Sequence, residues 1–102
     1  MEHKRFSNGE LIFKQGDISC DAYRILSGTV EVFLIQGGKK LILAKLGTGE
    51  IFGEMGMIED KPRSATVQAL EPTEVEILTP KTFNEMILRE PGQLVPYLRS
   101  FF

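Results

Sequence analysis

The sequence predicts a small, mainly β domain of the sandwich or barrel kind, with helices at its C-terminal end. Three observations carry that expectation. Residues 28 to 46 alternate with a period of two, the signature of strands with one buried face. Turn-forming residues recur about every ten positions, the spacing of short strands in all-β domains. After Thr79 the apolar residues change to helical spacing.

Taken in order, Leu11-Ile12-Phe13 reads as a short strand closed by Gly16-Asp17, and Ala22 to Leu26 as another, closed by Ser27-Gly28. Val30, Val32 and Leu34 then share one parity, with Thr29, Glu31, Phe33 and Ile35 on the other. Gly37-Gly38 interrupts, and Leu41, Leu43 and Lys45 alternate with Ile42, Ala44 and Leu46. A glycine pair between two such runs predicts a hairpin, because glycine accepts the positive φ of a tight turn. An apolar strand end runs into Gly53-Glu54, and two further strands, Ala65 to Leu70 and Val75 to Leu78, flank Glu71-Pro72.

Thr79-Pro80 is a good helix start, since threonine caps and proline at the first helical position loses no needed donor. Phe83, Met86 and Ile87 continue at helical spacing until Glu90-Pro91 stops the helix. Leu94, Val95, Leu98, Phe101 and Phe102 predict a second short helix, with Pro96 in its first turn. The reading is one domain over 1–102: a barrel over about 9–79 and a helical segment over 80–102. The terminal phenylalanines imply either a helix that packs back on the barrel or one that continues in a longer parent protein.

Composition narrows the function. A chain of 102 residues buries one core and has no room for a catalytic apparatus with its own lid domain. The net charge of −2 argues against binding duplex DNA, and no helix-turn-helix follows the barrel. His3-Lys4-Arg5 is read as a solvated end. There is neither an 18-residue apolar run nor the apolar core of a signal peptide, so a cytoplasmic setting without membrane contact is expected. Cys20 is the only cysteine, which fits a reducing compartment. The only histidine is His3, which argues against a metal-dependent enzyme and against Ser–His or Cys–His catalysis. The expectation is a non-enzyme without metal or cofactor.

The chemistry lies in residues 52 to 67, FGEMGMIEDKPRSATV. Arg63 is permanently charged and offers forked donors suited to phosphate. Ser64 and Ala65 are small and leave their amides approachable, and Ser64 adds a hydroxyl. Gly53 lets the backbone come close to a ligand. A helical turn after Glu54 would add free N–H groups. Glu54 is repelled by phosphate, so it should serve another group, such as a sugar hydroxyl. The plainer alternative is that Glu54 and Arg63 pair or face solvent.

This run resembles the phosphate-binding cassette of the cyclic nucleotide-binding domain family: FGE, a short helical turn, then an arginine with small residues and a β-branched strand. The resemblance extends to GELIFKQGD at 9–17, AYRILSGTVEVF at 22–33 and LGTGEIFGE at 46–54. It implies an eight-stranded jelly-roll barrel, a double-stranded β-helix, with a short cassette helix and C-terminal helices. It further implies that Arg63 binds a cyclic phosphate, helped by the Ser64 hydroxyl and the amides of Ser64 and Ala65. Glu54 would accept the ribose 2′-hydroxyl, with backbone of Gly53 and Met55 nearby. Val32 and Leu43 match positions of an apolar wall against the base, and plain core is the alternative for both.

Gly56-Met57 stands where many members carry Ala-Leu, and Ser64 resembles bacterial cAMP-responsive members. The ligand implied is therefore cAMP, with cGMP second. The function implied is a regulatory sensor that signals through its C-terminal helices to a protein effector or an attached domain, with homodimerisation through those helices. Alternatives are a barrel that binds protein and no nucleotide, or the sensor part of a transcription regulator lacking its DNA-binding domain. The usual helical lead-in and the long C-terminal lid over the base have no counterpart in the chain.

Overall fold

The computed structural model describes residues 2–58 and 61–89. Eight strands and two helices are described. The strands are β1 (His3–Phe6), β2 (Leu11–Phe13), β3 (Ala22–Ser27), β4 (Val30–Gln36), β5 (Lys39–Leu46), β6 (Ile51–Phe52), β7 (Thr66–Ala69) and β8 (Thr73–Leu78). Helix α1 (Met55–Ile58) interrupts them, and α2 (Pro80–Arg89) follows. Antiparallel pairing gives two four-stranded sheets, ordered β1-β8-β3-β6 and β2-β7-β4-β5. This is a jelly roll, as the resemblance implied.

The Gly37-Gly38 turn forms as expected: Gln36 pairs with Lys39, and the two glycines have φ of 59° and 76°. Two successive positive φ values match the right-handed twist of the flanking strands. One feature of this hairpin departs from simple alternation. Val32 pairs with Ala44 and Phe33 with Ile42, so the register skips Leu43 in a bulge.

The inward residues of the two sheets meet in one core that includes Phe6, Phe13, Ile25, Val32, Phe52 and Val75. A second cluster joins Ala22, Ile51, Leu78 and Phe83, with Met57 and Met86 packed against it. Through it α2 is anchored beside α1. The expected cap of α2 is present, with the Thr82 amide donating to Thr79 Oγ1 at 3.2 Å.

The barrel also begins earlier than expected. The basic N-terminal residues, read as a solvated end ahead of a 9–79 barrel, form β1, which pairs with β8 from His3↔Glu76 to Phe6↔Thr73. His3, Lys4 and Arg5 are indeed exposed, and only Phe6 enters the core. An edge strand with one anchor has no alternation to read, and its charges suit an edge that must not pair further. The second C-terminal helix, and dimerisation through it, lie outside the described residues.

Candidate functional site

Residues 53–65 run from the end of β6 to the start of β7. The Gly53 amide plane turns through a φ of +83°, which a residue with a side chain adopts only under strain. It is also crowded: a Cβ there would lie 3.2 Å from Arg63 Nη1 and 3.3 Å from the Asp21 carbonyl oxygen. The amides of Gly56 and Met57 then donate to the carbonyls of Gly53 and Glu54, at 3.3 and 3.0 Å, and start α1.

Arg63 is inside the protein, with only 4% of its surface exposed. Its Nε donates to Ser19 Oγ at 2.9 Å, Nη1 to the Gly53 carbonyl at 2.6 Å, and Nη2 to the Asp21 carbonyl at 2.6 Å. Its own amide donates to the Asp17 carbonyl and its carbonyl accepts from the Gly16 amide, both at 2.8 Å. Loop 14–21 is thereby fastened to the arginine through backbone and side chain alike. Below the guanidinium lies Phe13, whose ring centre is 4.2 Å from Cζ. Phe13, Tyr23 and Phe52 form one aromatic cluster, with Tyr23 stacked on Phe52 at 5.3 Å.

Glu54 is also buried, at 2% exposure. Burial pulls the Arg63 guanidinium below its ordinary value, and electrostatic interaction with neighbouring acidic groups, Tyr23 first and then Asp21, opposes that fall. An arginine nevertheless stays charged at neutral pH. The same environment acts on Tyr23, whose phenol is raised chiefly by burial, with Arg63 opposing and Asp21 adding. The site is thus a permanently positive group and a carboxylate, both removed from bulk water and close enough to act on one another. Such charges are expensive to bury, so their placement here is a specific feature of the fold.

Of the remaining expected site residues, Met55 is half-buried in α1, Ser64 is exposed, and Ala65 is buried at 1%. Val32 has no exposed surface and belongs to the core. Leu43 is 39% exposed and lies at the bulge, which breaks the alternation that grouped it with Leu41. Val32 and Leu43 are therefore not cross-strand partners. Sequence reasoning missed Ser19, Asp21 and Phe13 as neighbours of Arg63. The first two lie 44 and 42 residues away in sequence, where no local pattern links them. Among the described residues, no three His, Cys, Asp or Glu side chains are grouped to hold a metal. Among them, too, no helix is long and apolar enough to cross a membrane.

Known proteins resemble this chain in sequence and fold. The family model described as the cyclic nucleotide-binding domain matches residues 3–90. The cyclic AMP receptor protein of Thermus thermophilus is 37% identical over 91 residues, covering 88% of this chain and 42% of that protein. The cAMP-dependent protein kinase type II regulatory subunit of Drosophila melanogaster is 41% identical over 66 residues, covering 65% of this chain and 18% of that one. The crystal structure of the Thermus thermophilus catabolite activator protein superposes with a TM-score of 0.83 at 36% identity, covering 95% of this chain and 46% of that one. Both curated relatives are named as receptor or regulatory proteins, and this chain spans less than half of each.

Proposed function

The chain belongs to the cyclic nucleotide-binding domain family, and on that premise we propose that it is a cAMP-responsive regulatory module that works in the cytoplasm. Arg63 takes the cyclic phosphate, with the Ser64 hydroxyl and the Ser64 and Ala65 amides around it. Glu54 accepts the ribose 2′-hydroxyl beside the backbone of Gly53 and Met55. Leu43 offers accessible apolar surface to the base, while Val32 serves the core. cGMP is the second ligand on this reading. The chain itself carries no catalytic step, metal or cofactor, and it acts on a protein effector or an attached domain. It does not bind nucleic acid, and its C-terminal helices are the proposed homodimer contact.

The observation that carries this reading is the buried charge. Arg63 and Glu54 are exposed by only 4% and 2%, Glu54 directly before α1 and Arg63 in the segment between α1 and β7. Arginine has five N–H donors, and Ser19, Gly53 and Asp21 take three of them. A small anion with a vicinal hydroxyl meets both groups at once.

The contacts of α1 supply a route for the signal. Met57, in α1, packs against the cluster that contains Phe83, with Met86 beside it, both in α2. A ligand that prefers one seating of α1 therefore biases α2 by its differential affinity for the two arrangements. Titration with cAMP, cGMP and cyclic dinucleotides, read by thermal shift, tests the function. A ligand at about 100 times its Kd adds about 2.7 kcal/mol of stability. No shift with any of them would favour a protein-binding barrel instead.

A further inference from the structure

Gln15 joins two parts of the molecule that the sheet leaves apart. β4 pairs with β7 from Val30↔Ala69 to Phe33↔Thr66, and there β7 begins. β4 itself runs on to Gln36, so the amide of Ile35 lies past the end of β7. The side chain of Gln15 stands where that strand would have continued: its Oε1 accepts from the Ile35 amide at 3.1 Å. An amide N–H only donates, so the oxygen end of the glutamine is the end that meets it. The backbone of Gln15 is in turn fastened to the cassette. It occupies the second position of a turn closed by the Asp17 amide on the Lys14 carbonyl at 3.0 Å, with Gly16 at a φ of 91°, the geometry of type II. The Gln15 amide donates to Thr66 Oγ1 at 2.9 Å, and the Gly16 amide to the Arg63 carbonyl at 2.8 Å. Consecutive amides thus hold both ends of the run from Arg63 to Thr66.

We propose that Gln15 is a positioning residue for ligand binding, coupling the β4–β5 hairpin, which carries Leu43, to the segment that carries Arg63. The proposal rests on the cyclic nucleotide reading, in which the base meets Leu43 and the phosphate meets Arg63. The far part of the hairpin stands away from the core: Ile35, Leu41, Ile42 and Leu43 are between 39% and 51% exposed. Such a hairpin needs a tie if Leu43 is to keep its place. The bond from the Ile35 amide to Gln15 supplies one, and its other end is the backbone that bonds Arg63 and Thr66. A ligand that spans both segments binds best when their separation is already fixed. Without the tie the ligand must order the hairpin itself, and that ordering is subtracted from its affinity.

The test is calorimetric titration of cAMP into the wild-type chain, Gln15→Met, Gln15→Glu, Leu43→Ala and the double variant Gln15→Met with Leu43→Ala. Salt at about 0.5 M screens the charge that the glutamate adds. Gln15 is exposed, so no replacement there empties the core. Methionine keeps the length and loses the accepting oxygen, and Gln15→Met should bind about fivefold more weakly, within the worth of one hydrogen bond. Glutamate keeps the oxygen, and Gln15→Glu should bind within about twofold of wild type. Leu43→Ala should lose about tenfold. The double variant should bind within about twofold of Leu43→Ala, because a hairpin that no longer meets the base gains nothing from being held. Three results overturn the proposal: Gln15→Met binding like wild type, Gln15→Glu binding as weakly as Gln15→Met, or a double variant whose loss is the product of the two single losses. That last result is the mark of a residue that acts on stability or on the phosphate alone. A wild-type chain that binds no cAMP overturns the functional reading itself. A wild-type chain that binds cAMP while any of the three results appears overturns the coupling alone.

Discussion

Arg63 Nη1 donates to the carbonyl of Gly53 at 2.6 Å, a bond that joins two residues ten positions apart and closes the segment between them into a loop. Its consequence concerns Glu54, which follows Gly53 directly and is buried at 2%. The carboxylate and the guanidinium are held on one short frame, and the proposed function gives them different parts of the ligand.

Glu54→Gln keeps the shape of the side chain and removes its charge. It should weaken cAMP binding by about tenfold, less than loss of the arginine does, and should leave 2′-deoxy-cAMP nearly as it was. Competition between the two ligands on wild type and variant checks this. An equal loss on both would assign Glu54 a purely structural place beside Arg63.

Tyr23 makes stability depend on alkaline pH. Burial raises its phenol above the ordinary 10.0, so the unfolded chain ionises first while the folded chain keeps the proton. The contribution of the neutral phenol is therefore fully present below about pH 10 and is lost as pH rises through the raised folded value. Melting temperatures recorded from pH 8 to pH 11 should fall more steeply for wild type than for Tyr23→Phe. Parallel curves would show that Tyr23 ionises alike in both states.

Phe52 has no exposed surface, stacks on Tyr23 at 5.3 Å and meets Phe13 at 6.0 Å. Phe52→Ala should cost about 3–5 kcal/mol in urea unfolding, the range for emptying an aromatic site in a core. It should also weaken the ligand, because Phe13 lies between that cavity and Arg63.

Much of this molecule was legible in its sequence, and the parts that were not share a cause. The Gly37-Gly38 turn and the Thr79-Pro80 start both encode local backbone geometry, and each formed as read. Arg63 and Glu54 stood out because their residue types and spacing are chemical statements. β1 was missed because His3, Lys4 and Arg5 face solvent and take their conformation from β8, about 70 residues away. The bulge at Leu43 escaped because alternation predicts parity only while the register holds. Ser19 and Asp21 escaped for a related reason: a carbonyl oxygen is present at every residue, so nothing in the sequence marks the one that holds a guanidinium.

The central claim is that Arg63 is the phosphate-binding group of a cyclic nucleotide site. Isothermal calorimetry of cAMP against wild type and Arg63→Ala tests it most directly, with circular dichroism to establish that both chains are folded. Two charge-assisted hydrogen bonds to phosphate are worth about 3–6 kcal/mol together, so a folded Arg63→Ala chain should bind about 100-fold more weakly or worse. A folded variant that binds cAMP as tightly as wild type would contradict the claim.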